Sequence, residues 1–261
     1  MLLSCLYRGH QGLLLHQLFE APFAAAKSDN LLWLYQASGI PDFFVGHYWA
    51  ALFADTSWLL LFVVLIFKPN KKYLAYLACA VFINYFLIFK SLSLHHEHQL
   101  NGLLFCSFLL LMPNSKSFQI LHEGLRFYTL FVMFSAFCWK LFRASLWVPD
   151  QMSTILKVQH LDYLTNYPDS LYSEYLIYLI IHPEISNLFW VAAWVLEAVF
   201  IVGFFTRKFD KWLALLFLAF FVMDYILMNL IFLEFCILIL AFWSQPLNYS
   251  QKNLKQLNDI Q

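Results

Sequence analysis

Charge is what this sequence has least of. Only 12% of its 261 residues are Asp, Glu, Lys or Arg, about half the usual share of a soluble domain. Formal net charge is zero and there is no basic block, so nothing favours nucleic acid as a partner. Cysteine pairing is missing too. Cys5, Cys79, Cys106, Cys138 and Cys236 form no C-x-x-C, and an odd, scattered set argues against a disulfide framework or a zinc site. A cationic start is absent. The early apolar stretch is broken by His16, Gln17 and Glu20, so a cleaved signal peptide is not expected despite the small residues at Ala24–Ala26. No low complexity and no internal repeat are visible.

Present instead is apolar mass: 62% hydrophobic residues and 20% aromatic ones, 29 of them Phe. Several runs reach the ~20 residues needed to cross a ~30 Å hydrocarbon core. The fold class that follows is all-α, a polytopic transmembrane helix bundle of six to eight spans with one long external loop. The clear runs are 49–67, 73–92, 96–112, 122–142, 187–205 and 212–228, with another at 230–243. Neither Gly nor Pro occurs between Gly203 and Pro246. Some 32 continuous helical residues would be ~48 Å long, so a break is expected near Met228–Asn229. Residues 5–26 read either as a first, buried span or as an interfacial helix. The chain thus divides into an N-terminal segment, 1–48, a membrane domain, 49–243, and a tail, 244–261.

Orientation follows the Lys/Arg content of short loops. KPNKK (68–72), Lys116, TRKFDK (206–211) and the tail lysines Lys252 and Lys255 fall on one side if the spans alternate. The loop 144–186 falls on the other, with Asp150, Asp162, Asp169, Glu174 and Glu184 against Lys157. The basic side is placed in the cytoplasm, and a Phe-, Lys- and Asn-leaning composition suits a bacterial inner membrane. The tyrosines of that loop (163, 167, 172, 175 and 178) suggest packing against the membrane surface or against a protein partner.

Ionisable side chains inside a bilayer cost at least ~2.5–3.5 kcal/mol and usually face a bundle interior or a cavity. Glu197 sits near the middle of its run. Asp224 and Glu234 fall in the outer halves of theirs, Asp55 near an outer end, and Lys140 and Arg143 close the fourth run. This distribution suggests a polar cavity opening outward. Each residue also has a plainer reading. Lys140 and Arg143 would snorkel beside an aromatic belt at Trp147. Glu197 would make a structural hydrogen bond. Asp224 and Glu234 would pair with Arg126 or Lys140. Asn84, mid-span, reads as interhelical glue. HHEH (95–98) has metal-ligand types at i, i+3, but it reads as a solvated rim and no metal is expected.

The stretch YTLFVMFSAFCWKLFRASLW (128–147) resembles the signature helix of the HTTM family, the membrane domain shared with vitamin K-dependent gamma-glutamyl carboxylase. Ser135-Ala136, Lys140-Leu141 and Trp147 carry the likeness, with a slightly longer interval to the tryptophan. EHQLNGLL (97–104) resembles the family's His-containing helix entry at His98, one residue shorter before Gly102. WVLEAVFIVGFFTRKFDKWLALLF (194–217) resembles its carboxylate helix and basic turn, matching Glu197 and Arg207. Asp224 and Asn229 stand where the carboxylase has a His and an Asn. The likeness runs in order over residues 45–245.

The resemblance implies Lys140 as a base that deprotonates a quinone-like or isoprenoid lipid, with His98 assisting and Glu197 positioning or relaying protons. Desolvation would favour the neutral amine that such chemistry needs. Glutamate gamma-carboxylation itself is not expected, because the carboxylase continues into large luminal domains and this sequence ends about 18 residues after its last run. Two other readings stay open: a non-enzymatic partner or immunity-type protein contacting membrane lipids and a protein through 144–186, and a small proton-coupled transporter using Glu197, Asp224 and Glu234.

Overall fold

The computed structural model describes residues 1–19, 30–69, 71–92, 98–112, 114–143, 147–230 and 234–243, with side chains at all of these except 30–32, 98, 99 and 115. It is an all-α bundle with no strand among the described residues. Five helical stretches are long and apolar enough to cross a membrane: Tyr48–Phe67, Lys72–Leu92, Lys116–Phe142, Pro183–Phe205 and Asp210–Met228. Lipid offers a backbone no hydrogen bonds, so an apolar run of this length has the helix as its stable solution.

In chain order the elements are α1 (Leu2–His10), α2 (Asn30–Ala37), α3 (Ile40–Gly46), α4 (Tyr48–Phe67), α5 (Lys72–Leu92), α6 (His98–Phe108), α7 (Ser115–Phe142), α8 (Gln151–Gln159), α9 (Leu161–Asn166), α10 (Leu171–Ile181), α11 (Pro183–Val199), α12 (Val202–Phe205) and α13 (Asp210–Met228). Short 3-10 segments cover Leu15–Leu18, Leu109–Leu111 and Phe235–Trp243. Of the expected run at 96–112, the described residues 98–112 form α6 and one tight turn. Of the run at 230–243, the described part holds a nine-residue 3-10 segment, Phe235–Trp243, which at ~2 Å per residue reaches only ~18 Å. These two short elements pack on each other. Gly102 makes the contact possible, since a Cβ there would lie 3.0 Å from Leu238 and 3.1 Å from Phe235.

The helix ends follow local chemistry. Asn114 caps α7 by accepting from the Ser117 amide at 2.8 Å. Ser170 caps α10 in the same way, and Pro183 opens α11. The break expected after Met228 is there: Asn229 adopts the left-handed conformation (φ 52°) and closes α13.

The N-terminal segment packs against α4. Asp55 on α4 accepts from the backbone amides of Leu15 (3.2 Å) and His16 (3.0 Å), and pairs with His16 Nδ1 at 2.8 Å. α1 has nine residues and does not cross a membrane alone. Asn84 does act as interhelical glue, accepting from Tyr35 on α2 at 2.6 Å.

The stretch between α7 and α11 is a helical insert. Helices α8 and α10 pack together, α8 lies on α11 and α13, and a small core of Met152, Leu156, Leu176, Leu179, Trp190 and Leu227 joins them. A helix leaves its last carbonyls without intrahelical partners. Here the insert supplies them: His160 Nε2 donates to Leu227 O at 2.8 Å and the Tyr172 hydroxyl to Ile226 O at 3.0 Å. Burial and the neighbouring Tyr175, Tyr163 and Tyr225 raise the Tyr172 pKa above the ordinary phenol value, which keeps it a donor.

Candidate functional site

Besides the exposed Lys116 in its first turn, helix α7 carries Arg126 and Lys140, about four turns apart and so on nearly one face. That face meets α11–α13. At the α12–α13 turn Arg126, 1% exposed, holds Asp210 with two bonds, Nε to Oδ2 at 2.8 Å and an Nη2 bond to Oδ1 at 2.7 Å. Nη2 also donates to Gly203 O at 2.7 Å and Thr206 O at 3.3 Å. Those carbonyls are available because they lie at the end of α12, where the last carbonyls have no intrahelical partner. Glu123 extends the cluster to Arg207. Gly203 lets α12 approach α7, since a Cβ there would stand 2.9 Å from Leu213 and closer still to Leu130.

At the insert end the arrangement differs. Lys140 Nζ donates to Glu197 Oε1 at 2.6 Å and lies 4.8 Å from the Trp190 ring centroid. Glu197 is 2% exposed, and its Oε2 has no hydrogen-bond partner among the described residues. In front of Lys140 is a cavity of about 170 Å³. Lys140 and Asp224 are its charged lining residues. Phe189, Trp190, Phe220 and Met223 supply apolar wall, and Met152 of the insert forms part of its boundary. One amine and two carboxylates thus gather at an otherwise apolar chamber. A hole of 150 Å³ admits benzene, so this one has room for a single six-membered ring.

The remaining residues expected at the site lie elsewhere. Glu234 accepts from Arg8 Nε at 2.5 Å and Nη2 at 2.6 Å, and from the Ser4 hydroxyl. Arg8 also donates to Tyr85 at 3.0 Å, and Tyr85 donates to Leu13 O at 2.7 Å. Neither Glu234 nor Asp224 pairs with Arg126, which belongs to Asp210. Arg143 is exposed and stacks on Trp139 at 4.4 Å. Asn229 faces a second cleft with Tyr163, Tyr172 and Tyr225. His98 begins α6, but its side chain, like His95–Glu97 and the tail after 243, lies outside what is described. Among the described residues no group of three or more His, Cys, Asp or Glu is placed to hold a metal.

Arg8, Ser4, Tyr85 and His160 were not singled out in the sequence. The signal for Arg8 was its place beside an apolar stretch that needed a counter-ion. Nothing in periodicity names a partner more than two hundred residues away. No family model, no curated protein and no solved structure matches the chain.

Proposed function

We propose that this integral membrane protein uses the Lys140 chamber to hold the polar ring of a lipid-soluble molecule of the quinone class, with Lys140 as proton acceptor. One observation carries the reading. The amine, backed by Glu197, and the Asp224 carboxylate face one ring-sized, aromatic-walled cavity inside a membrane bundle. The HTTM resemblance of 128–147 and 194–217 supports it. So does the charge distribution, from which we place the insert outside a bacterial inner membrane and the basic turns in the cytoplasm.

The proton acceptor must be a neutral amine. Lys140 is bound to a carboxylate, so the ammonium first passes its proton to Glu197 along the 2.6 Å hydrogen bond. The free amine then takes the proton of a ring hydroxyl, leaving a phenolate beside a new ammonium. No electron moves in this step. Asp224 orients the ring by accepting a hydrogen bond from its second hydroxyl.

The test is absorbance titration of the purified protein with a short-chain hydroquinone. Wild type gives saturable binding with a phenolate band. Lys140→Arg keeps the charge but cannot give up its proton, so it binds without the band. An equal band in Lys140→Arg removes the base role, and no saturable binding in wild type removes the site. A second reading, a non-catalytic partner protein, draws on the insert's exposed Val158, Leu161, Tyr167 and Leu171. It predicts that Lys140→Arg is silent while substitutions on that surface abolish co-purification of the partner.

A further inference from the structure

The second cleft lies where the insert meets the C-terminal end of α13, and nothing in the chemistry of Lys140 uses it. It encloses about 340 Å³ and is lined by Tyr163, Tyr172, Tyr225, Ile226 and Asn229. Two of the three hydroxyls are occupied. Tyr172 donates to Ile226 O, and Tyr163 shares a hydrogen bond with Ser170 at 3.2 Å. These bonds fix the rings, so π surface is what they offer. The rings of Tyr163 and Tyr172 meet edge to face, with centroids 5.4 Å apart and planes at 74°. They form two walls of a corner, and Tyr225, half-exposed, is the third aromatic side.

The electrostatics around this corner favour a cation. It sits at the C-terminal, negative end of a helix. The insert that supplies Tyr163 and Tyr172 exposes Asp150, Asp162, Asp169, Glu174 and Glu184 against a single Lys157. Among the described residues no Lys or Arg lines the cleft. Three tyrosine rings lining one cleft in a negative field suit a cation too diffuse to need strong hydrogen bonds, and that is the chemistry of a quaternary ammonium. The geometry points to this cleft as a binding site for a quaternary ammonium group, whether the headgroup of a choline lipid or a small free solute. A neutral sugar would also stack on tyrosine, but it would gain nothing from the acidic surround.

The probe is tetramethylammonium chloride, titrated calorimetrically into the full chain in a maltoside detergent, with matched potassium chloride as the blank. Saturable binding is expected in wild type. Tyr225→Leu, at an exposed position that does not hold the fold, weakens it about tenfold, and Tyr225→Phe restores it. Competition then separates the sources. Stronger displacement by a short-chain phosphatidylcholine than by choline identifies a lipid headgroup, and the reverse identifies a free solute. Absence of saturable binding, binding unchanged in Tyr225→Leu, or displacement by a neutral sugar in place of both choline compounds overturns the assignment.

Discussion

Arg126 and Lys140 of α7 face the same neighbouring helices and are treated differently. Arg126 is closed off: its guanidinium, 1% exposed, meets a carboxylate bidentately and two backbone carbonyls. Among the described contacts, Lys140 donates to the Glu197 carboxylate, lies against a tryptophan face and lines a chamber that also holds Asp224. The planar, always-charged group serves where geometry must be held. The compact amine, which can lose its proton, stands where there is room for something else. One end of the contact between α7 and α11–α13 is a clasp, and the other is a site.

Substitutions can break or sharpen this contrast. The largest loss is expected from Arg126→Met. It strands Asp210 in the interior, and removing one partner of a buried pair costs about 3–5 kcal/mol. The check is thermal unfolding in detergent. Glu234→Gln comes next at about 1.5–3 kcal/mol, the range for a hydrogen bond to a charged group. That loss stays local, so amide exchange should rise over residues 2–18 and remain unchanged across α7 and α13. Lys140→Met should cost less, about 1–2 kcal/mol, because the described contacts it removes are one carboxylate hydrogen bond and a ring face, whereas Arg126 holds a carboxylate bidentately and two backbone carbonyls. If unfolding shows Lys140→Met to cost as much as Arg126→Met, Lys140 is a second clasp. Arg143→Ala should have the smallest effect, about 0.5–1 kcal/mol, as for an exposed cation on a ring.

The class of fold was legible because lipid imposes a length and composition that no soluble segment needs. The stop after Met228 was legible for a related reason: a single helix running on to 243 would overrun the bilayer. Lys140, Glu197 and Asp224 stood out because charge in an apolar run is costly. Which charges meet was not legible. Asp224 and Glu234 looked equivalent, yet one lines the chamber and the other secures the N-terminal helix. The difference is set by Arg8, which hydropathy alone does not connect to either. The capping of α13 by His160 and Tyr172 was hidden likewise, since backbone carbonyls leave no mark in sequence.

The central claim is that Lys140 marks a ligand chamber and is not a second clasp. It is tested most directly by mass spectrometry of the lipids that co-purify with wild type and with Lys140→Ala. The account predicts a quinone or related ring-bearing lipid enriched with the wild type and lost from the variant, while bulk phospholipid stays the same in both. The same bulk phospholipid in both preparations, with no ring-bearing lipid in either, would contradict it.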